Sequence, residues 1–258
     1  MTARDQLFAN PTDLVDFRFD DDVAGVFPDM IRRSVPGYEL VLTLGALLAA
    51  RHVPAGGLCV DLGCSLGAGS FALRHAIGVS GVRIIGVDNA PAMIEGAQAL
   101  LAARPRALPD GADIEFRCAD LREVDCTGAH AIVMNFTLQF IAPAERLPLL
   151  QHLRSQLAPG GVLLYAEKLA ATAGSDVSRW DEAAHLDFKR ANGYSELEIA
   201  QKRAALEHVL RPDTRAEHEA RLRAAGFGWQ HCWLHCLNWA AFAACVEPPT
   251  DADGGGAA

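Results

Sequence analysis

The feature that most constrains this chain is a short apolar run that breaks into a glycine-rich turn and then into helical spacing. Leu58, Cys59, Val60, Asp61 and Leu62 read as a strand. Gly63, Cys64, Ser65, Leu66, Gly67, Ala68 and Gly69 form the turn, and residues 67–77 read as a helix. The pattern then recurs. Residues 82–87 make a second strand that closes on Asp88 and Asn89, 113–118 a third and 130–135 a fourth. Pro159, Gly160 and Gly161 turn the chain into a fifth, 162–167. Strands alternating with helices imply a parallel sheet covered on both faces, with right-handed crossovers.

Other signals divide the rest. Leu40, Leu44, Leu47 and Leu48 form a helical stripe within residues 39–51. Asn89 suits a helix cap, and Pro91 suits the first turn that follows. Residues 145–157 read as a helix whose start is set or kinked by Pro148. Thr214 and Glu217 fit a capping box, and Gly226 fits the stop after that helix. Residues 229–237 and 239–246 read as an antiparallel hairpin turning near Asn238, which brings the sheet to seven strands, mostly parallel. One domain over residues 1–248 is expected. Residues 1–38 would be an arm and lid, the first 28 of them extended. Residues 176–210 would be a helical insertion, and 249–258 a disordered tail.

Composition narrows the class. Half of the 258 residues are hydrophobic and 21% are charged, which excludes a disordered or fibrous chain. The net charge of −9 argues against a direct nucleic-acid partner. Seven scattered cysteines (Cys59, Cys64, Cys118, Cys126, Cys232, Cys236 and Cys245) read as free thiols in a reducing cytoplasm. The first residues lack the apolar stretch of a signal peptide. The longest apolar stretch, 40–50, contains Thr43, stops at Arg51 and is too short to span a bilayer. A cytoplasmic protein without membrane association is expected. His231, Cys232, His235 and Cys236 have zinc-ligand chemistry. On a strand, however, the two histidines face one side and the two cysteines the other, so no metal is expected.

In open α/β sheets, ligands bind beyond the carboxyl ends of the strands. Gly63 and Gly67 allow close approach of a ligand to the backbone. Their Gly-x-x-x-Gly spacing is not the dinucleotide fingerprint. Asp61 would repel a pyrophosphate and attract an ammonium group, so a zwitterionic amino-acid moiety fits better. Asp88 can accept both hydroxyls of a ribose. Asp120 can accept from an adenine amino group, and Asn135 can hold an amino-acid end. Each alone is more often a turn residue. Four polar residues ending four successive strands are harder to assign to turns.

This constellation resembles the class I S-adenosylmethionine-dependent methyltransferases. It is carried by the run from Val60 to Gly67, the run from Val87 to Met93, Ala119 to Leu121, and Leu157 to Gly161. A Rossmann-like class I methyltransferase fold is therefore implied. Three longer blocks are more particular: Val26 to Tyr38, Asn135 to Phe140, and Asp187 to Ile199 followed by Gln201, Lys202 and Arg203. With these the chain resembles the carboxy-S-adenosyl-L-methionine synthase family from about Arg4 to Cys245.

The resemblance implies that S-adenosyl-L-methionine and prephenate are the substrates, and carboxy-S-adenosyl-L-methionine and phenylpyruvate the products, with no metal. It implies a homodimer, and a separate enzyme that uses the product to carboxymethylate a wobble uridine of tRNA. By the same resemblance Tyr38, Gly63, Cys64, Ser65, Asp88, Asn89, Asp120, Leu121 and Asn135 are nucleoside and amino-acid contacts, and Arg203 holds the new carboxylate. A guanidinium offers two parallel donors to such a group. Without the resemblance, Arg203 would read as part of a solvated helix face. Arg190 and Tyr194 are further candidates for the prephenate end, against a surface ion pair and a packed aromatic. Leu121 departs from the family's more usual isoleucine. Two other functions share the pocket motifs: a methyltransferase acting on a small molecule, and a module that only binds S-adenosylmethionine.

Overall fold

A computed structural model describes residues 3–11, 17–104 and 112–249. The tail expected to be disordered lies, from residue 250 on, outside them. The first half runs α1 (Asp21–Ser34), α2 (Tyr38–Ala50), β1 (Leu58–Leu62), α3 (Ala68–Ala76), β2 (Arg83–Asp88), α4 (Pro91–Ala102), β3 (Asp113–Cys118) and β4 (Ala129–Asn135). The second half runs α5 (Pro143–Gln156), β5 (Leu157–Lys168), α6 (Asp176–Ala191), α7 (Glu196–Leu206), α8 (Arg215–Ala224), β6 (Trp229–Cys236) and β7 (Trp239–Cys245). The strands form one sheet in the order β3-β2-β1-β4-β5-β7-β6. The first five pair in parallel, and β7 runs antiparallel to both β5 and β6.

Side-chain alternation along the buried strands builds two cores. Val60 and Leu62 of β1 join Leu149, Leu150 and Leu153 of α5 and Leu222 of α8 on one face. Cys59 points the other way, into a cluster with Ala46 and Ala49 of α2 and Leu73 of α3. The Leu40, Leu44 and Leu47 stripe that predicts α2 nevertheless faces outward, at 53%, 40% and 52% exposure. Val41, Gly45, Ala46 and Ala49 face inward instead. Small residues let the helix axis come close to the sheet, and Gly45 lies against the Trp233 ring.

Four local expectations are corrected. Residues 21–34 are helical, not extended: Asp20 caps α1 by accepting from the Val23 amide, and acids in the first turn with Arg32 and Arg33 in the last suit the helix dipole. Asn89 does not cap α4; Ala90 holds that position, and Asp88 accepts the Ala90 amide at 2.9 Å. Pro143, not Pro148, starts α5, and Pro148 lies inside it. The pairing of β6 with β7 shifts register between Cys232 and Leu234. Cys232 therefore packs in the α5 and α8 layer, while Cys236 lies beside Gly37 at the start of α2. The simple alternation of the two cysteines is broken by this bulge.

The insertion is real secondary structure. Ser195 and Glu198 form a capping box on α7, as Thr214 and Glu217 do on α8. The chain returning from it is bolted to α5 by Arg146, which is 1% exposed. Its guanidinium donates to the carbonyls of Ile141 at 2.9 Å and Arg211 at 2.6 Å, and to the Asp213 carboxylate. Replacing Arg146 with Met strips these acceptors of a buried charged donor. Stability should fall by about 3 kcal/mol, read as a lower urea midpoint with an unchanged m value.

Candidate active site

The glycine turn leaves β1 with three residues in left-handed backbone: Gly63, Ser65 and Gly67, at φ 74°, 50° and 81°. A Cβ on Gly63 would lie 2.2 Å from Thr137 Oγ1, and one on Gly67 would lie 2.4 Å from the Phe116 ring. Glycine is required at both by conformation and by space. The amides of Gly63 and Cys64 donate to the Val87 carbonyl at 2.8 and 2.9 Å, and the Ser65 amide donates to Asp88 Oδ2 at 2.9 Å. Asp88 therefore holds both the turn and the start of α4, and each of its oxygens keeps lone-pair capacity toward the cavity. Burial raises its pKa.

Asp61 sits under the turn, 3% exposed, and accepts from Ser70 Oγ at 2.7 Å. Burial pushes its pKa up to about 6. Asp120 caps a short 3-10 turn, Leu121–Glu123, and accepts from the amide and guanidinium of Arg122. Bonding to that guanidinium holds its pKa low. Burial raises the Cys64 thiol pKa strongly, so the thiol stays protonated. The Tyr38 ring is buried at the start of α2 beside Phe136, which in turn meets Trp239.

The segment after β4 is set by one buried acid. Glu167, 0% exposed on β5, accepts the amides of Thr137 and Leu138 on Oε1 at 3.1 and 2.8 Å, and of Gln139 on Oε2 at 3.0 Å. Phe136 is thereby held at φ 58°, an uncommon state for a residue with a side chain. Burial outweighs the three donated bonds and pushes the Glu167 pKa up to about 8.

These elements enclose a cavity of about 430 Å³. Tyr38, Gly63, Cys64, Ser65, Asp88, Asn89, Asp120, Leu121 and Asn135 all line it. The N-terminal segment roofs it with Phe17, Phe19 and Phe27, and Phe19 also meets Phe140 edge-on at 5.5 Å. The Phe17 amide donates to the Ala205 carbonyl of α7 at 3.0 Å. Asp5, 1% exposed, anchors the arm: its amide donates to Asp29 at 2.8 Å and its carboxylate accepts from Tyr194.

Three predicted residues stand elsewhere. Tyr194 is occupied with Asp5, and Arg190 is exposed and bonded to Glu196 and Asp187. Neither lines the cavity. Arg203 has a 71% exposed side chain on α7 and pairs with Glu182 at 3.4 Å, outside the lining of this one chain. The cavity instead presents Lys168, Lys189 and Lys202, which the sequence reading missed. The available signal was spacing: Lys189 follows the buried His185 by four residues and shares its inward face, whereas Arg190 does not. Charge thus changes along the sheet. The ends of β3, β2 and β1 bring Asp120, Asp88 and Asp61, β4 brings Asn135 and β5 brings Lys168.

Known proteins resemble this chain in sequence and in fold. A family model described as a methyltransferase domain matches residues 59–161. A carboxy-S-adenosyl-L-methionine synthase from Geobacter metallireducens is 48% identical over 93% of this chain and 97% of its own length. One from Shewanella pealeana is 45% identical over 94% and 98%. The chain belongs to the carboxy-S-adenosyl-L-methionine synthase family. Among solved structures, the S-adenosylmethionine-dependent methyltransferase SibL superposes with a TM-score of 0.60 at 17% identity, over 93% of this chain and 64% of that one. Human N-acetylserotonin methyltransferase gives 0.57 at 17% identity, over 87% and 55%. These two show the fold: the synthase family is built on the class I methyltransferase sheet.

Glu167 provides a test of how the site is held. Glu167→Ala leaves three successive amides without their acceptor, and stability should fall by at least about 2 kcal/mol. The pH dependence has a defined sign. A carboxyl raised from 4.5 to about 8 in the folded state contributes stability fully below its unfolded pKa and loses it as pH rises through about 8. Urea midpoints measured from pH 5 to pH 8 should fall more steeply for the native chain than for Glu167→Gln.

Proposed function

We propose that this chain converts S-adenosyl-L-methionine and prephenate into carboxy-S-adenosyl-L-methionine and phenylpyruvate. The observation that carries the reading is near-full-length identity to the synthases, 48% over 93% of the chain. The cavity supports it. In this reading Asp88 accepts the ribose hydroxyls, Asp120 and Leu121 meet the adenine, and Asp61 and Asn135 face the amino-acid end; all of them line the cavity. The aromatic roof excludes water from a sulfonium carbon that is to become nucleophilic.

The reaction balances without an added oxidant or metal. Prephenate loses its ring carboxylate as CO2 and its ring hydroxyl as hydroxide, and the ring becomes aromatic. Hydroxide takes a proton from the sulfonium methyl and leaves as water. The resulting ylide carbon attacks CO2, forming the carbon–carbon bond of the product. Arg203 remains the proposed holder of the new carboxylate. Its present partner Glu182 is exposed, so exchanging that pair costs little. Its charge is already felt by Lys168 and Lys189. Arg203→Ala should weaken binding of the carboxylated product about tenfold or more, measured by calorimetry, and leave S-adenosylmethionine affinity nearly unchanged.

The product would serve a separate tRNA carboxymethyltransferase, so this acidic chain need not touch tRNA itself. We further propose a cytoplasmic homodimer. The outward row of Leu40, Leu44 and Leu47 supports pairing, and seven free cysteines suit a reducing compartment. No helix among the described residues is long and apolar enough to cross a membrane.

Mass spectrometry after incubation with S-adenosylmethionine, with and without prephenate, tests the reaction. A sulfonium species heavier by one carboxyl group is expected only with prephenate. S-adenosylhomocysteine formed with some other acceptor would mean methyl transfer instead. A second expectation concerns pH. Asp61 must be ionised to hold an ammonium group, and its pKa is about 6. Affinity for S-adenosylmethionine should be flat near pH 7 and fall about tenfold per unit well below 6. Asp61→Asn should flatten that profile.

A further inference from the structure

Two lysines of the cavity have no partner among the described residues. Lys168 ends β5, and Lys189 lies on the inward face of α6. Both are half-buried, both line the cavity, and among the described residues neither ammonium has a hydrogen bond or an ion pair. Their polar neighbours are already engaged. His185 donates through Nε2 to the Ser34 carbonyl at 2.8 Å, so its Nδ1 is left to accept from the Asn238 amide at 3.2 Å. The ring is neutral, with its pKa lowered by burial to about 4. Lys202 is bonded to Ser34 Oγ at 3.0 Å and lies 3.8 Å from Asp5. Glu182, the acid that acts on Lys168, is paired with Arg203. Among the described residues, positive charge is thus concentrated at this end of the cavity without a matching internal anion. Burial, reinforced by Lys168 and Arg203, lowers the Lys189 pKa to about 8. An incoming carboxylate would relieve that strain.

We propose that Lys168 and Lys189 form the subsite for the carboxylate that the second substrate keeps, its 2-oxo acid group, and not for the ring carboxylate that it loses. The proposal rests on the synthase reading above. Prephenate is a dianion, and its two carboxylates have opposite fates. The one leaving as CO2 sheds its charge in the transition state. Fixed cations on it would stabilise the reactant more than the transition state and slow the reaction. The 2-oxo acid carboxylate keeps its charge throughout. Cations there bind reactant, transition state and product alike and set the ring in place. The sheet order supports the assignment. Lys168 lies at the end of β5, beyond β4 from the acids that would hold the nucleoside and the amino-acid ammonium. The aromatic wall of Tyr38, Phe136 and Trp239 also lines this cavity and offers a surface for the ring.

The test uses phenylpyruvate, which retains only the 2-oxo acid carboxylate. Lys168→Met, Lys189→Met and Lys189→Arg would be compared with the native protein. Calorimetry would give the Kd of S-adenosylmethionine alone and of phenylpyruvate in its presence, and kinetics the KM for prephenate. Each Met variant should weaken phenylpyruvate about tenfold or more and raise the prephenate KM by a similar factor. Lys189→Arg should stay within about threefold, because it keeps the charge. An unchanged Kd for S-adenosylmethionine reports that the variants are folded. Unchanged phenylpyruvate binding, whether or not the prephenate KM rises, would overturn the proposal. So would absence of phenylpyruvate binding to the native protein. Lysine-dependent phenylpyruvate binding with no carboxylated product would overturn the synthase reading and leave a 2-oxo acid subsite standing.

Discussion

A single buried carboxyl group joins the sheet, the site and the insertion. Glu167 takes the amides of Thr137, Leu138 and Gln139, which shapes the chain leaving β4. From there the dependence runs two ways. Toward the glycine turn, Thr137 Oγ1 lies within hydrogen-bond reach of the Leu62 carbonyl, and its side chain fills the space that a Cβ on Gly63 would need. Toward the insertion, the Gln139 carbonyl accepts from the Arg211 amide, and Gln139 Oε1 accepts from the Lys168 amide at 3.2 Å. Without Glu167, three amides would have to find partners in a place closed to water.

The cavity works by separating charge. Acids gather at the ends of β3, β2 and β1. Lysines gather past the end of β5. The two halves meet at Asn135, a neutral amide at the end of β4. A cationic and an anionic substrate can thus occupy one enclosure with each charge facing its complement. The low dielectric of a roofed cavity strengthens both attractions. The roof itself depends on a remote network, since Asp5 anchors the arm through Asp29, Arg33 and Tyr194.

Much of the fold was legible before any coordinates. The five parallel strands fell within about a residue of expectation at most ends: four are largely buried apolar runs bounded by turn residues, and the edge strand β3 shows as Ile114 and Phe116 alternating with charged residues. The capping box at Thr214 was legible for the same local reason. The orientation of α2 was not. A helix apolar on nearly every side has no pattern that says which face goes in, and small residues decided it by allowing close approach. The α1 segment reads by composition, from its acids and aromatics, as an extended arm, yet Asp20 is a good cap and starts a helix there.

The residues themselves determined the strand–turn–helix frame, the need for glycine at 63 and 67, and the four polar strand ends. Each of these shows in the local sequence, although the space that excludes a side chain at 63 and 67 is set by Thr137 and Phe116, far along the chain. Tertiary structure alone decided which cations enter the cavity. Arg190, Tyr194 and Arg203 are no less suited to a carboxylate than Lys168 and Lys189 when read as letters. The difference is the rotation of α6 about its axis, set by His185 burying its ring against Ser34, and the sheet order that places the end of β5 beside that helix. Both arise from contacts between residues far apart in the chain, which local pattern cannot encode.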